Sequence, residues 1–159
     1  MAEPLLTPLL WTVGGLPAHI LIIHAVVVLG PLAAASALVY AGVPRYRDAV
    51  RWPTLVLAVI AFVSVWAAYL SGANFFDDAR FDSFSGELLE KIEKHEDYAG
   101  TLRWIGTGFG VVTVLATYLH DREGMRKLVL NVLVAVLAVL TLVWVFLTGD
   151  AGSRAVWGE

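Results

Sequence analysis

The stretch PAHILIIHAVVVLGPLAAASALVY, residues 17–40, decides the fold class of this chain. It lies within 41 consecutive residues, between Glu3 and Arg45, that contain no Asp, Glu, Lys or Arg. A helix needs about 20 apolar residues to cross roughly 30 Å of hydrocarbon. Helices and closed barrels are the structures that satisfy their backbone groups in lipid, and this run is continuous rather than alternating. The stretch therefore predicts a transmembrane helix.

Three further charge-free segments of 25, 17 and 22 residues follow along the chain. Together with the first they predict one all-α domain, an integral membrane four-helix bundle over residues 1–159. The spans are expected at about 17–40, 52–70, 99–119 and 128–148. The composition agrees, because 58% of the residues are hydrophobic and only 16% are charged, whereas soluble domains are about a quarter charged.

The same arithmetic excludes several classes of site. The chain has no cysteine, which rules out disulfides, Cys-ligated zinc, thiolate-held iron–sulfur clusters and covalently attached haem. The formal charge of −3 leaves no basic footprint for nucleic acid. Sequence motifs for serine hydrolases, nucleotide-binding loops and HExxH zinc enzymes are also missing. The sequence therefore names no reaction, and whether the protein is an enzyme stays open.

The segment between the second and third spans, residues 71–98, carries most of the acidic charge, with eight acids and three bases. Within it, GELLEKIEKHEDY at 86–98 places Leu88, Leu89 and Ile92 at helical spacing with charges between them. We expect an amphipathic interfacial helix here that runs into the third span.

The charges in the loops predict the orientation in the membrane. The loops after the first and third spans together hold six Lys and Arg residues, against four in the acidic segment and the C-terminal region. The positive-inside rule places loops rich in Lys and Arg in the cytoplasm. The acidic segment and both termini are then expected on the outer side.

The four histidines and one carboxylate divide between the two sides. His19 and His24 fall in the outer third of the first span, His95 just before the third span, and Asp150 just after the fourth. His120 alone falls at the inner end, where a solvated loop residue is expected. Ionisable side chains at membrane depth are rare and point to function. The outer set is therefore the candidate site.

Imidazoles with a carboxylate suit transition metals, and two histidines ligate haem b in many helical bundles. Five residues of regular helix turn the chain by about 140°, so His19 and His24 cannot chelate one ion as an i,i+4 pair could. Either His19 belongs to an irregular start of the helix, or the two histidines serve different partners. We expect His24, the deeper residue, to be the buried ligand with His95, and His19 to be interfacial. The candidate cofactor-binding residues are His19, His24, His95, Arg103 and Arg154, the two arginines for charge compensation. The candidate metal ligands are His19, His24, His95 and Asp150.

At these residues the chain resembles the bacterial four-helix membrane proteins of domain of unknown function 2231. Their first helix opens with a pattern like H-P-x-x-V-H-F-P-I, and here His19 and His24 keep the interval while the prolines and the Phe are absent. His95-Glu96 matches a His-Glu pair before their third helix. Their closing G-H-x-G-G is Gly149-Asp150-Ala151-Gly152-Ser153 here, with Asp in place of His. The resemblance implies a bacterial cytoplasmic membrane protein and an association with electron transfer.

Two functions from different classes follow. The first is a redox module in which haem b or a transition metal ion sits near the outer face and exchanges electrons with partner proteins. The alternative is a non-catalytic scaffold or interaction subunit whose histidines form a structural hydrogen-bond network. A third possibility is pH sensing, because imidazoles titrate near pH ~6.5. The chain is also expected to contact the bilayer and to form homo-oligomers or join a larger membrane complex.

Overall fold

Four long helices make up nearly all of the computed structural model, which describes residues 12–13, 15–76 and 85–158. A short antiparallel ladder of β1 and β2 precedes them, and one 3-10 turn, Pro44–Tyr46, joins the first two helices. The prediction of an all-α four-helix bundle is confirmed. The elements are β1 Thr12–Val13, β2 Leu16–Pro17, α1 Ala18–Gly42, α2 Arg47–Phe76, α3 Glu87–Tyr118 and α4 Met125–Trp157.

Each of the four helices is long and apolar enough to cross a membrane, which indicates a multi-pass membrane protein. Three of them extend well past the expected spans. The amphipathic stretch expected at 86–98 forms the first turns of α3 without a break. Gly86 and Gly124 precede α3 and α4 with φ of +66° and +72°, a conformation that side-chain-bearing residues rarely adopt. These two glycines therefore mark the helix starts.

The helices form a ring in which α1 and α3 each pack against both α2 and α4. Glycines permit the close approaches. A Cβ added at Gly30 would lie 3.3 Å from Val145, and one added at Gly110 would lie 3.1 Å from Phe62. In lipid, the hydrophobic effect does not drive helices together, because the lipid tails are as apolar as the helix surfaces. Helices there associate largely through close packing at such small residues.

The second hairpin, α3–α4, repeats the first, α1–α2. Five buried residues of α2, from Thr54 to Ser71, recur as buried residues of α4 80 positions later, from Val134 to Ala151. Six buried residues of α1 likewise recur in α3 at an offset of 76. The matched pairs are Val26 and Leu102, Gly30 and Gly106, Ala33 and Phe109, Ala34 and Gly110, Ala37 and Thr113, Tyr40 and Ala116. The bundle is therefore an internal repeat of one helical hairpin.

The acidic-loop end is where α1 and α3 begin and α2 and α4 finish, and the basic-loop end is the opposite one. At the basic-loop end, the buried Arg47 donates to the carbonyls of Tyr40 and Ala41, at 2.9 and 3.0 Å. Arg51 donates to the carbonyl of Thr117 at 3.0 Å. These cations donate to carbonyls that have no partner within their own helices. They also interact favourably with the negative, C-terminal ends of the helix dipoles.

Candidate functional site

His19 lies in the first turn of α1 and is half-buried against α2. Its Nδ1 lies 3.0 Å from the carbonyl oxygen of Ala68 and 3.2 Å from Oγ of Ser71. A carbonyl only accepts, so Nδ1 carries the proton. The ring also packs on Gly72, where an added Cβ would lie 2.9 Å from Cε1 of the imidazole. His19 thus connects α1 to α2 through a hydrogen bond and a glycine contact.

His95 makes the equivalent contacts in the second hairpin. Its Nδ1 donates to the carbonyl oxygen of Thr148 at 2.9 Å. Its ring packs on Gly152, where an added Cβ would lie 3.0 Å from both Cε1 and Nδ1. Thr148 and Gly152 stand 80 positions after Ala68 and Gly72. We call each arrangement of histidine, carbonyl and glycine a histidine clasp.

The two clasps bring their rings together at the acidic-loop end. The ring centroids of His19 and His95 lie 6.4 Å apart with an interplanar angle of 74°. We call these two residues the histidine pair. Since each Nδ1–H donates to a carbonyl, the lone pair of each neutral ring is on Nε2. This is the tautomer in which a protein presents Nε2 to a metal.

Two buried polar atoms of α4 stand beside the second clasp without hydrogen-bond partners among the described residues. They are Oγ1 of Thr148, whose carbonyl holds His95, and Nε1 of Trp144, one turn away. The hydroxyls of Thr107 and Thr141 instead donate to carbonyls four residues earlier in their helices. A buried donor without a partner costs about 1–3 kcal/mol. These two atoms of α4 therefore have hydrogen-bonding capacity for a further group.

His24 is not part of the histidine pair. It lies on the exposed face of α1, with Nδ1 2.6 Å from the carbonyl oxygen of Ile20 in the same helix. We expected His24 to be the buried residue and His19 the interfacial one, but in the structure His24 is exposed and His19 is half-buried. The rotation of about 140° between them turns His19 towards α2 and His24 outwards. A ligand role for His24 remains a prediction.

Asp150 and Arg154 pair with each other at the end of α4. Nε of Arg154 donates to a carboxylate oxygen of Asp150 at 2.8 Å across one helical turn. Asp150 lies beyond the charge-free stretch of α4, and the hydrogen bond from Arg154 holds the pKa of its carboxyl below the usual range. Both side chains are largely exposed. This ion pair occupies the arginine that was expected to compensate charge at a cofactor.

Arg103 lies at the interface of α2 and α3 among aromatic rings. Its guanidinium carbon is 4.0 Å from the ring centroid of Tyr69, 4.9 Å from that of Trp104 and 5.2 Å from that of Trp66. None of the contacts described for Arg103 involves the histidine pair. Its predicted role in charge compensation at a cofactor stays a prediction.

His120 differs from the expected solvated loop residue, because its side chain is only 11% exposed. Its Nε2 donates to Oδ1 of Asp48 at 2.9 Å, and its Nδ1 lies 3.2 Å from the hydroxyl of Tyr40. That hydroxyl donates to the carbonyl of Ala116 at 2.8 Å. The chain of contacts joins α1, the start of α2 and the end of α3. The sequence adjacency of His120 to charged residues concealed these long-range partners.

Within residues 12–13, 15–76 and 85–158, no group of three or more His, Asp or Glu side chains is arranged to hold a metal ion. His19 and His95 thus belong to no such group in the described part of the chain. Comparison of the sequence and structure with protein-family models, curated proteins and solved structures finds no match.

Proposed function

We propose that the histidine pair binds a transition metal ion at the acidic-loop end and that this ion serves electron transfer. The main support for this proposal is the short distance between His19 and His95. These residues belong to two different hairpins, and their ring centroids are 6.4 Å apart. Imidazoles that ligate one ion at about 2.0–2.1 Å place their centroids roughly 5–6.5 Å apart, depending on the angle at the metal. The observed separation falls in this range.

The clasps supply the supporting contacts that metal-ligating histidines usually have. Such histidines almost always donate the second ring N–H to a carbonyl or carboxylate, which fixes the ring orientation. Nδ1 of His19 and of His95 both donate to carbonyls. The hydroxyl of Thr148, the residue whose carbonyl accepts from His95, is buried without a hydrogen-bond partner among the described residues. A redox-active ion held there would supply one-electron chemistry.

Haem b is the other cofactor that two histidines can ligate. The same spacing of about 6 Å between ring centroids applies, since each iron–nitrogen bond is also about 2 Å long. An absorbance spectrum separates the two cofactors, because haem gives a Soret band and a bare ion does not. The positive-inside rule supports an orientation with the acidic-loop end and both termini outside a bacterial cytoplasmic membrane, where redox partner proteins would dock.

The test uses the full-length protein purified in mild detergent. Metal content by elemental analysis and the absorbance spectrum are measured for the wild type and for His19→Ala, His95→Ala and His24→Ala, after incubation with Cu²⁺ or haemin and removal of excess. We expect about one equivalent bound by the wild type and by His24→Ala, and a loss of at least tenfold in affinity for the other two. An unloaded wild type, or a loss confined to His24→Ala, would contradict the proposal.

The second candidate is a scaffold in which the clasps only brace the helices. Each clasp does connect two helices by a hydrogen bond, which favours this function. It predicts that His95→Ala lowers the thermal stability while the wild type binds neither Cu²⁺ nor haem. The metal measurement therefore separates the two candidates.

A further inference from the structure

The guanidinium of Arg103 lies among the rings of Trp66, Tyr69 and Trp104, which we call the aromatic cage. Trp66 of α2 donates from Nε1 to Oγ1 of Thr107 at 3.0 Å, and Thr107 donates to the carbonyl of Arg103 at 2.7 Å. The rings of Trp66 and Trp104 meet edge to face at 6.1 Å between centroids. These contacts fix two of the three aromatic faces on which the cation lies. The electron-rich faces of the rings attract the cation and so help to hold it in place.

The charge of Arg103 has no anionic partner among the described residues. No carboxylate forms an ion pair with it, and its Nε is buried without a hydrogen-bond partner. By contrast, Arg154 pairs with Asp150, and Arg47 and Arg51 donate to carbonyls. A half-buried cation without a counter-charge is costly. Arg103 therefore has the features of an anion-binding residue.

The internal repeat provides a matched comparison for this cage. At the equivalent α1–α4 interface, Arg103 and Trp104 correspond to Val27 and Val28, and Tyr69 corresponds to Gly149. Val27 and Val28 are exposed apolar residues with no polar contact. The hairpins pack alike with valines on one side, so packing does not require a caged arginine on the other. The cage is specific to the α2–α3 face.

The same face has an open groove of about 440 Å³. Its lining includes Arg103, Tyr69 and Trp104, together with the carboxylates of Glu96 and Asp97. These acids are exposed and lie six and seven residues before Arg103, which is about 9–10 Å along the helix. Side chains of a helix lean towards its N-terminus, so the guanidinium reaches towards the acids. The groove thus presents a cation and then two anions along one direction.

The depth of the groove points to its occupant. Arg103 is the last charge before the 17 charge-free residues 104–120. It lies among Trp and Tyr side chains, which are typical of the membrane–water interface. Headgroups of phospholipids lie at this level. A headgroup with an inner phosphate and an outer amine matches an inner arginine and outer carboxylates.

We propose that this groove binds the zwitterionic phosphoethanolamine headgroup of a membrane phospholipid. The phosphate would accept from Arg103, as phosphates commonly do from arginine, and the ammonium would donate to Glu96 and Asp97. This site is separate from the histidine pair and does not depend on metal binding there. A primary ammonium offers three N–H donors, whereas the choline headgroup offers none, so ethanolamine lipids are preferred.

The experiment counts lipids retained by the full-length protein in native mass spectrometry from mild detergent. The probes are palmitoyl-oleoyl phosphatidylethanolamine, phosphatidylcholine and phosphatidylglycerol at equal concentration. We expect the ethanolamine lipid to be retained several-fold over the other two. Arg103→Gln should reduce its retention about tenfold, which corresponds to about 1.4 kcal/mol, because it removes the cationic donor to the phosphate. Arg154→Gln, at the same end of the bundle, is the matched control and should change nothing.

Two further measurements keep the proposal testable if Arg103→Gln fails to fold. The double variant E96Q/D97N should retain ethanolamine and choline lipids equally, because it removes the acceptors for the ammonium. Soluble O-phosphoethanolamine should not displace the lipid at equal concentration. Equal retention of the three lipids by the wild type, full retention by Arg103→Gln, or ready displacement by the soluble headgroup would overturn the proposal.

Discussion

Replacement of Gly152 by alanine tests whether the second clasp depends on glycine. The new Cβ would lie 3.0 Å from Cε1 and Nδ1 of His95, which is tighter than most Cβ contacts in proteins. The imidazole must therefore shift away from α4. Gly149→Ala is the matched control, because nothing lies within 4 Å of its added Cβ in the same helix.

The magnitude follows from comparing the two variants. Both gain about 1 kcal/mol of helix propensity from Gly→Ala. Gly152→Ala alone adds an overpacking cost of about 1–3 kcal/mol, which includes the strain on the hydrogen bond from His95 to Thr148. We therefore expect Gly152→Ala to be about 1–3 kcal/mol less stable than Gly149→Ala.

A double-mutant cycle with His95→Ala locates the cause. Without the imidazole the clash disappears, so the difference between Gly152→Ala and Gly149→Ala should fall to near zero in the His95→Ala background. Reversible unfolding in mixed micelles, followed by circular dichroism, gives each free energy. Equal stability of the two glycine variants, or a difference that persists without His95, would refute the clasp.

Three further predictions concern the connections between helices and are checked by thermal unfolding in detergent. Tyr40→Phe leaves the carbonyl of Ala116 without its donor and should cost about 1–3 kcal/mol; no change would show that water replaces the hydroxyl. Arg47→Gln removes two donors to the last turn of α1 and should cost a similar ~1–3 kcal/mol, while the exposed Arg45→Gln should stay within about 0.5 kcal/mol. Gly124→Ala, at φ +72° and ψ −148°, should cost about 1–3 kcal/mol, and a stabilised variant would contradict the assigned backbone conformation.

The four helices were predictable from the sequence because long charge-free segments allow few structures in lipid. The ends of three of these helices could not be predicted in the same way. The hydrophobic criterion marks the membrane-crossing part of a helix, whereas α2 and α4 continue past it through residues that are polar or small. The continuation of the amphipathic stretch into α3 was predictable, since Leu88, Leu89 and Ile92 keep helical spacing up to the third span.

The histidine pair was only partly predictable. The topology brought His19, His24 and His95 to one end, but which histidine of α1 faces the interior depends on the rotation of that helix against α2. The internal repeat contained the missing signal. VLAV occurs at 56–59 and again at 136–139, and the same offset of 80 relates Gly72 to Gly152. The offset between the first helices is 76, and this difference of four residues conceals the alignment of His19 with His95.

The most direct test of the central claim counts the imidazoles around one bound ion. The full-length protein is loaded with one equivalent of Cu²⁺, and electron spin echo envelope modulation detects the remote ring nitrogens of coordinated histidines. The account predicts a signal from two imidazoles that drops to one in His19→Ala and in His95→Ala and stays unchanged in His24→Ala. A spectrum that shows no modulation from imidazole nitrogens would contradict this prediction. So would a modulation that neither His19→Ala nor His95→Ala alters.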